Sequence, residues 1–266
     1  RSSDLKTKTA TMLSYVASQH KREKILLIDM DPQGNSTSIL AKTGNIDVIN
    51  KNITEGMSNG DLESQIINVM DRLDLIPAST NFRNLPKMLM KMFPDDEKQQ
   101  ALYFRNLIEP LKSKYDRIYI DVPPTISDFS DSAMLASDFC IIILQTQELS
   151  LDGAKTYIAY MQYLADTYNN QLNVVGLVPM MLRKSARVDK KIIDEARNLY
   201  GGNVIDTVVS YQERLKVYDS EGIKYTENID GKVDMWDKKA HDVFLNVLDE
   251  LDENQTILSE MIRGES

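Results

Sequence analysis

The chain has one cysteine, Cys140, among 266 residues. A lone thiol excludes intramolecular disulfides, cysteine-built zinc sites and a four-cysteine iron–sulfur cluster held by a single chain. Histidine is nearly as scarce: only His20 and His241 are present, which excludes a His-rich metal centre. No apolar run in the sequence approaches the roughly 18 residues that cross a bilayer. The start as given lacks a secretory-signal pattern. Positive charge is in deficit, with 31 Lys+Arg against 40 Asp+Glu and a formal net charge of −9. At 42% hydrophobic and 27% charged, the composition is that of an ordinary soluble globular protein, expected inside the cell. The length suits one large α/β core or two modest ones. With no repeat, low-complexity tract or linker in view, a single domain over 1–266 is expected, with a C-terminal helical segment from about 236.

What is present is a series of short apolar runs that end in polar or turn residues. Ile25-Leu26-Leu27-Ile28 precedes Asp29, Ile118-Tyr119-Ile120 precedes Asp121, and Cys140-Ile141-Ile142-Ile143-Leu144 precedes Gln145. Runs this short, apolar on both faces and rich in β-branched residues suit buried parallel strands. Leu73–Ile76, Val174–Val178 and Val204–Val209 extend the series, and helical patterns fill the gaps at Thr9–His20, Met88–Lys112, Gly153–Tyr168 and Val188–Tyr200. Strands alternating with helices imply right-handed βαβ units. The fold class expected is α/β, with a doubly wound, mostly parallel sheet and helices on both faces.

Ligands of such sheets sit beyond the carboxyl ends of the strands. The residues there read Asp29-Met30-Asp31-Pro32-Gln33-Gly34-Asn35, then Asp121-Val122-Pro123-Pro124, then Gln145-Thr146-Gln147. Carboxylates at two strand ends suit hydrated Mg²⁺, which takes few protein ligands and leans on phosphate oxygens. Strand-stopping by Asp and Pro is the plainer account of either site alone. Near the start, Lys6-Thr7 precedes Lys8-Thr9-Ala10 and an amphipathic stretch. A Lys-Thr pair opening a helix is the tail of a phosphate loop, or simply an exposed lysine beside a capping threonine.

Taken together, Lys-Thr-x-Thr-Ala, Ile-Leu-Leu-Ile-Asp-Met-Asp-Pro-Gln-Gly-Asn, Leu-Asp-Leu-Ile-Pro-Ala-Ser at 73–79 and Tyr-Asp-Arg-Ile-Tyr-Ile-Asp-Val-Pro-Pro at 115–124 resemble the ParA-type plasmid and chromosome partition ATPases. These form the ParA/MinD branch of the P-loop NTPase-like proteins, with a deviant Walker A motif. The similarity runs from Lys6 to about Ile223. One departure stands out. Arg1-Ser2-Ser3-Asp4-Leu5 occupies the place of the family's Lys-Gly-Gly-x-Gly stretch, whose glycines allow positive φ and close backbone approach to phosphate. The native chain is expected to carry such a loop ahead of Lys6.

The resemblance implies ATP and Mg²⁺ as cofactors. Lys6 would neutralise γ-phosphate charge, Thr7 would ligate Mg²⁺, and Asp29 and Asp121 would hold the ion through its waters. Asp31 would orient the attacking water, and Lys8 would lie near the α-phosphate. The other account of Asp31 is a cap for a helix from Ser36 or a turn residue before Pro32. Met180 and Met181 would lie near the base, although a soft apolar pair is equally suited to packing. Phosphoryl transfer needs positioning and charge neutralisation more than covalent chemistry.

Non-specific DNA is the surface partner the resemblance implies, and the net charge opposes simple electrostatic coating. The segment 183–191 is a local exception, with Arg183, Lys184, Arg187, Lys190 and Lys191 against Asp189 alone; Arg214 and Lys216 follow the next run. A solvated helix face accounts for the same charges. The tail from Asp242 is an acidic amphipathic helix that lacks the Lys/Arg face of a membrane anchor. The resemblance therefore implies an ATP-hydrolysing DNA-partition switch. It would be a homodimer on ATP, cytoplasmic and nucleoid-associated, with no membrane, reset when a small ParB-like centromere-binding adaptor stimulates hydrolysis. A non-hydrolysing degenerate interaction module and a MinD-like membrane-associated positioning ATPase are the alternatives.

Overall fold

The computed structural model describes residues 2–145, 150–181, 187–226 and 231–264. The chain divides into two compact units, Arg1–Ala136 with Glu213–His241, and Ser137–Gln212 with Asp242–Ser266.

The first unit is built on a four-stranded sheet. Its strands are β1 (Ile25–Asp29), β2 (Ile67–Met70), β3 (Leu73–Ile76) and β4 (Arg117–Asp121), in the order β2-β3-β1-β4. β1 runs parallel to β3 and β4, and β2 is antiparallel to β3. All five residues of β1 are buried, as a central parallel strand covered on both faces requires. Side chains alternate between those faces. Leu26, Ile28 and Ile76 join a core with Phe82, Leu85, Leu89, Phe104 and Ile108. Those partners come from a short 3₁₀ turn, from α4 (Leu85–Met92) and from α5 (Glu97–Lys112). Helix α1 (Ser2–Gln19) packs on the same sheet, against β1 and β4, with Met12, Leu13, Val16 and Ala17 buried. The unit is completed by α2 (Asn35–Thr43), α3 (Ile53–Asn59), α6 (Asp128–Ala136), α9 (Glu213–Glu221) and the first turns of α10 (Met235–Arg263).

The two histidines have a structural home in this unit. His20 Nε2 and His241 Nδ1 lie 3.0 Å apart, with Tyr15 and Tyr225 packed around the His241 ring. Beside them Asp237, fully buried, accepts from Arg214 Nε, from Tyr218 Oη at 2.6 Å and from the Thr226 amide at 3.1 Å.

The second unit holds a three-stranded parallel sheet of β5 (Phe139–Gln145), β6 (Asn173–Met181) and β7 (Val209–Ser210). α7 (Ser150–Tyr168) and α8 (Arg187–Tyr200) supply Leu151, Ala154, Ile192 and Ala196 to a core with Ile142, Leu144 and Leu177.

The α/β class and the mostly parallel strands agree with the sequence reading, and three local expectations are corrected. The run Met88–Lys112 is two helices, because Asp95 takes a φ of 64° and Asp96 caps α5 by accepting from the Gln99 amide at 2.9 Å. The strand expected at 204–209 is reduced to a bridge at Val204 and to β7. There the amides of Asp206 and Thr207 donate to the Glu250 carboxylate instead of to a ladder. Helix α1 already includes Ser2–Leu5, so Lys6 and Thr7 lie within it rather than opening it. Nothing in Ser2-Ser3-Asp4-Leu5 breaks a helix, and Ser and Asp favour its start.

Candidate functional site

Parallel pairing of β1 with β4 sets Asp29 opposite Asp121. Both carboxylates are buried, at 0% and 3% exposure. Two helices and the turn after β1 supply their partners. Thr7 Oγ1 on α1 donates to Asp121 Oδ2 at 2.9 Å, and Ser36 Oγ on α2 donates to the same oxygen at 2.6 Å. Asp29 Oδ2 accepts from both the amide and the hydroxyl of Thr37 at 2.8 Å. Asp29 Oδ1 accepts from the Asp31 amide at 3.1 Å. Thr37 Oγ1 in turn accepts from the Ala78 amide just past β3 at 2.8 Å. The turn between β1 and α2 is closed by Gly34 at a φ of 67°, a conformation glycine adopts without strain.

Burial pushes both carboxyl groups above the ordinary range. For Asp29 the next cause is the nearby charge of Asp121, opposed by the Thr37 and Asp31 hydrogen bonds. For Asp121, burial is opposed by the Ser36 and Thr7 hydrogen bonds, with the charge of Asp31 raising it and that of Lys6 lowering it. Like charges packed together out of water are costly unless a cation joins them. The donor set is all hard oxygen. Among the described residues no three His, Cys, Asp or Glu side chains gather into a cage. The oxygen donors fit Mg²⁺, which binds through one or two carboxylates plus waters and phosphates. Thr7, Asp29 and Asp121 are the residues that would hold it.

Asp31 is buried at 4% exposure. Its carboxylate accepts from the Gln33 amide at 2.9 Å, and its carbonyl from the Gly34 amide. It is thus a turn residue; the cap of α2 is Gly34. Lys6 is half-buried, and its charge is felt at Asp121. Lys8 points elsewhere: its ammonium pairs with Asp219 at 2.8 Å.

The remaining candidates are divided between the two units. Met180, in β6, is 2% exposed, a packed side chain of the second unit. Met181 has its backbone in β6 opposite Ser210, but its side chain lies outside the described residues. Arg183 and Lys184 lie outside the described residues altogether, and so does the side chain of Arg187, whose backbone starts α8. Lys190 and Lys191 are exposed on α8, and Lys191 is 3.5 Å from Glu195 one turn on. Lys216 is exposed on α9. Arg214 is not presented in this way, since its guanidinium is bound to the buried Asp237.

Sequence reasoning missed Ser36 and Thr37 as site residues. Their signal is the hydroxyl pair directly after Asn35, where α2 starts beside the Asp29–Asp31 turn.

A family model described as an AAA domain, AAA_31, matches residues 5–174. The sporulation initiation inhibitor protein Soj of Bacillus subtilis is 26% identical over 212 residues, covering 75% of this chain and 77% of Soj. The chromosome partitioning protein ParA of Myxococcus xanthus is 26% identical over 218 residues, covering 81% of this chain and 75% of ParA. Among solved structures, an ATP complex of a McdA variant from Cyanothece superposes with a TM-score of 0.77 at 17% identity, over 95% of this chain and 92% of that one. The resemblance read from the motifs is borne out.

Proposed function

The chain belongs to the AAA_31 family of AAA domains, and from that premise we propose that it is a ParA-type partition ATPase. In this reading ATP binding makes a dimer that holds non-specific DNA, and a ParB-like centromere-binding adaptor stimulates hydrolysis and resets it. The observation that carries the reading is the buried pair Asp29–Asp121, with Thr7 and Ser36 both donating to Asp121. Two buried carboxylates at neighbouring strand ends, hydrogen-bonded but raised by burial, are costly to a fold, and holding a cation offsets that cost. The likeness to Soj, ParA and an ATP-bound McdA supports the same reading.

The roles follow from chemistry. Mg²⁺, when bound, screens phosphate charge and fixes the nucleotide. Thr7 and the two strand-end aspartates orient it, and Lys6 neutralises charge that develops on the γ-phosphate. Asp31, held in its turn by its own backbone bonds, orients the attacking water. Arg183, Lys184, Arg187, Lys190, Lys191 and Lys216 contact DNA phosphates, while Arg214 serves the fold through Asp237. No described helix is long and apolar enough to cross a membrane. The proposed place of action is the cytoplasm, on the nucleoid.

A second reading has one observation in its favour. Ser2–Leu5 is helical where an open glycine turn would cradle phosphate, as a non-hydrolysing interaction module would allow. One experiment separates the two. Binding to a non-specific duplex is measured without nucleotide, with ADP, with ATP and with a slowly hydrolysed analogue, at two salt concentrations. The switch requires binding that depends on the triphosphate and weakens steeply with salt. Binding indifferent to nucleotide favours the module and overturns the switch.

A further inference from the structure

Helix α9 is fastened to both helices that carry the candidate site, by contacts the phosphoryl chemistry does not use. Lys8 sits one residue after Thr7 on α1. Its ammonium lies 2.8 Å from the Asp219 carboxylate on α9, and only 14% of the lysine side chain is exposed. The backbone carbonyl of Asp219 accepts from Lys42 Nζ on α2 at 2.7 Å. Four residues on, the Ile223 amide donates to Thr43 Oγ1, at the end of α2, at 2.8 Å. Between them Gly222, with a φ of 80°, comes so close to α2 that a Cβ would lie 2.5 Å from the Thr43 nitrogen. Asp219 therefore stands where α1, α2 and α9 meet. The other stretch of α9 is tied to the start of α10, through Arg214 and Tyr218 on Asp237.

The charges give this junction a direction. Lys8 shares a helical turn with Lys6 and Thr7. A lysine ammonium is a point charge on a flexible stem and moves readily between anions. Its present partner is a single carboxylate, 44% exposed, and water screens such a pair. A polyphosphate held at Lys6 and Thr7 brings several negative charges to the same turn. Gly222 and Thr43, by contrast, meet through backbone and contain no ion pair, so that contact persists as a pivot while the ionic contact exchanges.

We propose that Asp219 is a positioning residue that holds Lys8 in the empty state, and that polyphosphate draws Lys8 away and loosens α9. Occupancy of the site is thereby felt along α9, towards Asp237 and the first turn of α10. The inference rests on the reading of the Lys6–Thr7 turn as the phosphate-binding turn.

The test is hydrogen–deuterium exchange over residues 213–223 in the full chain, with and without a slowly hydrolysed ATP analogue plus Mg²⁺. Binding is followed separately with a fluorescent analogue. In the wild type, loading should speed exchange in this segment about fivefold or more, the lower end of ordinary coupling between sites. Asp219→Asn and Lys8→Met should each exchange at the loaded rate whether or not the analogue is present, and Asp219→Glu should restore the response. A purely structural ion pair predicts fast exchange in the variants but no response to nucleotide in the wild type. If the analogue binds and exchange at 213–223 is unchanged or slowed, the proposal fails while the nucleotide-site reading stands. If the analogue does not bind, both fall together.

Discussion

Replacing Asp237 by Asn tests how much one buried carboxylate contributes to the first unit. Burial alone pushes this carboxyl up, but Arg214, Tyr218 and the Thr226 amide together hold it down at about 2, against 3.8 for a free aspartate. At about 1.4 kcal/mol per unit the difference is worth about 2 kcal/mol. The depressed value fixes the sign: the stabilisation is fully present above about pH 4 and is lost as the pH falls towards 2. Asparagine keeps the shape and can still accept from the Tyr218 hydroxyl, but it leaves the Arg214 guanidinium, 23% exposed, with only the more distant Asp234 carboxylate at 3.8 Å as counter-charge. In thermal unfolding at pH 7, Asp237→Asn should melt roughly 4–8 °C below the wild type, and the gap should narrow steadily as the pH is lowered from 4. A variant that melts with the wild type at pH 7, or a gap that persists unchanged at pH 2.5, refutes the reasoning.

Asp121→Asn should raise the melting temperature of the nucleotide-free protein, because it removes one of two buried like charges; since the carboxyl is raised on folding, the gain should be larger at pH 8 than at pH 5. The same variant should lose the stabilisation that Mg-ATP gives the wild type, and a melt in each condition shows both. Asp31→Ala should retain ATP binding and dimerisation but stop phosphate release in a turnover assay; normal turnover removes Asp31 from the chemistry. The double variant Arg183→Glu, Lys184→Glu should abolish DNA binding in a gel-shift while basal ATPase survives, and unchanged affinity would make the segment a solvated face. Gly222→Ala should cost about 2–4 kcal/mol in a melt, since the left-handed backbone disfavours a Cβ and that atom would strike the Thr43 nitrogen.

The parts of the fold legible in the sequence are the short apolar runs that became parallel strands. β1 reads as an uninterrupted apolar run because it is buried throughout; β3 was legible despite Asp74 and β4 despite its partial burial, and the carboxylates ending β1 and β4 marked the candidate site. β2 was not legible: Ile67–Met70 is a half-exposed edge strand, antiparallel, with an irregularity between Asn68 and Met70. The strand expected at 204–209 has ample β-branched residues and is undone by a distant carboxylate, Glu250, which no local pattern reveals. Within the candidate site, Asp29 and Asp121 were singled out by their places at the ends of two apolar runs. The hydroxyls of Ser36 and Thr37 were not, because serine and threonine at a helix start usually serve only as caps. Arg214 looked like a surface cation because its partner, Asp237, lies 23 residues on in the chain.

Asp29 and Asp121 face each other because two parallel strands are in register, so the step between their backbones is the strand spacing itself, about 4.8 Å. No choice of side chain adjusts that step finely. It changes only in whole residues, and an insertion or deletion of one residue within β1 or β4 moves one carboxylate along the strand and turns it to the opposite face of the sheet. The site is therefore set digitally. It should absorb apolar-for-apolar substitutions at Ile25–Ile28 and Ile118–Ile120, while a change of strand length by one should destroy it. Among chains of this architecture, the number of residues in these two strands should vary less than the identity of any residue in them other than the terminal aspartates.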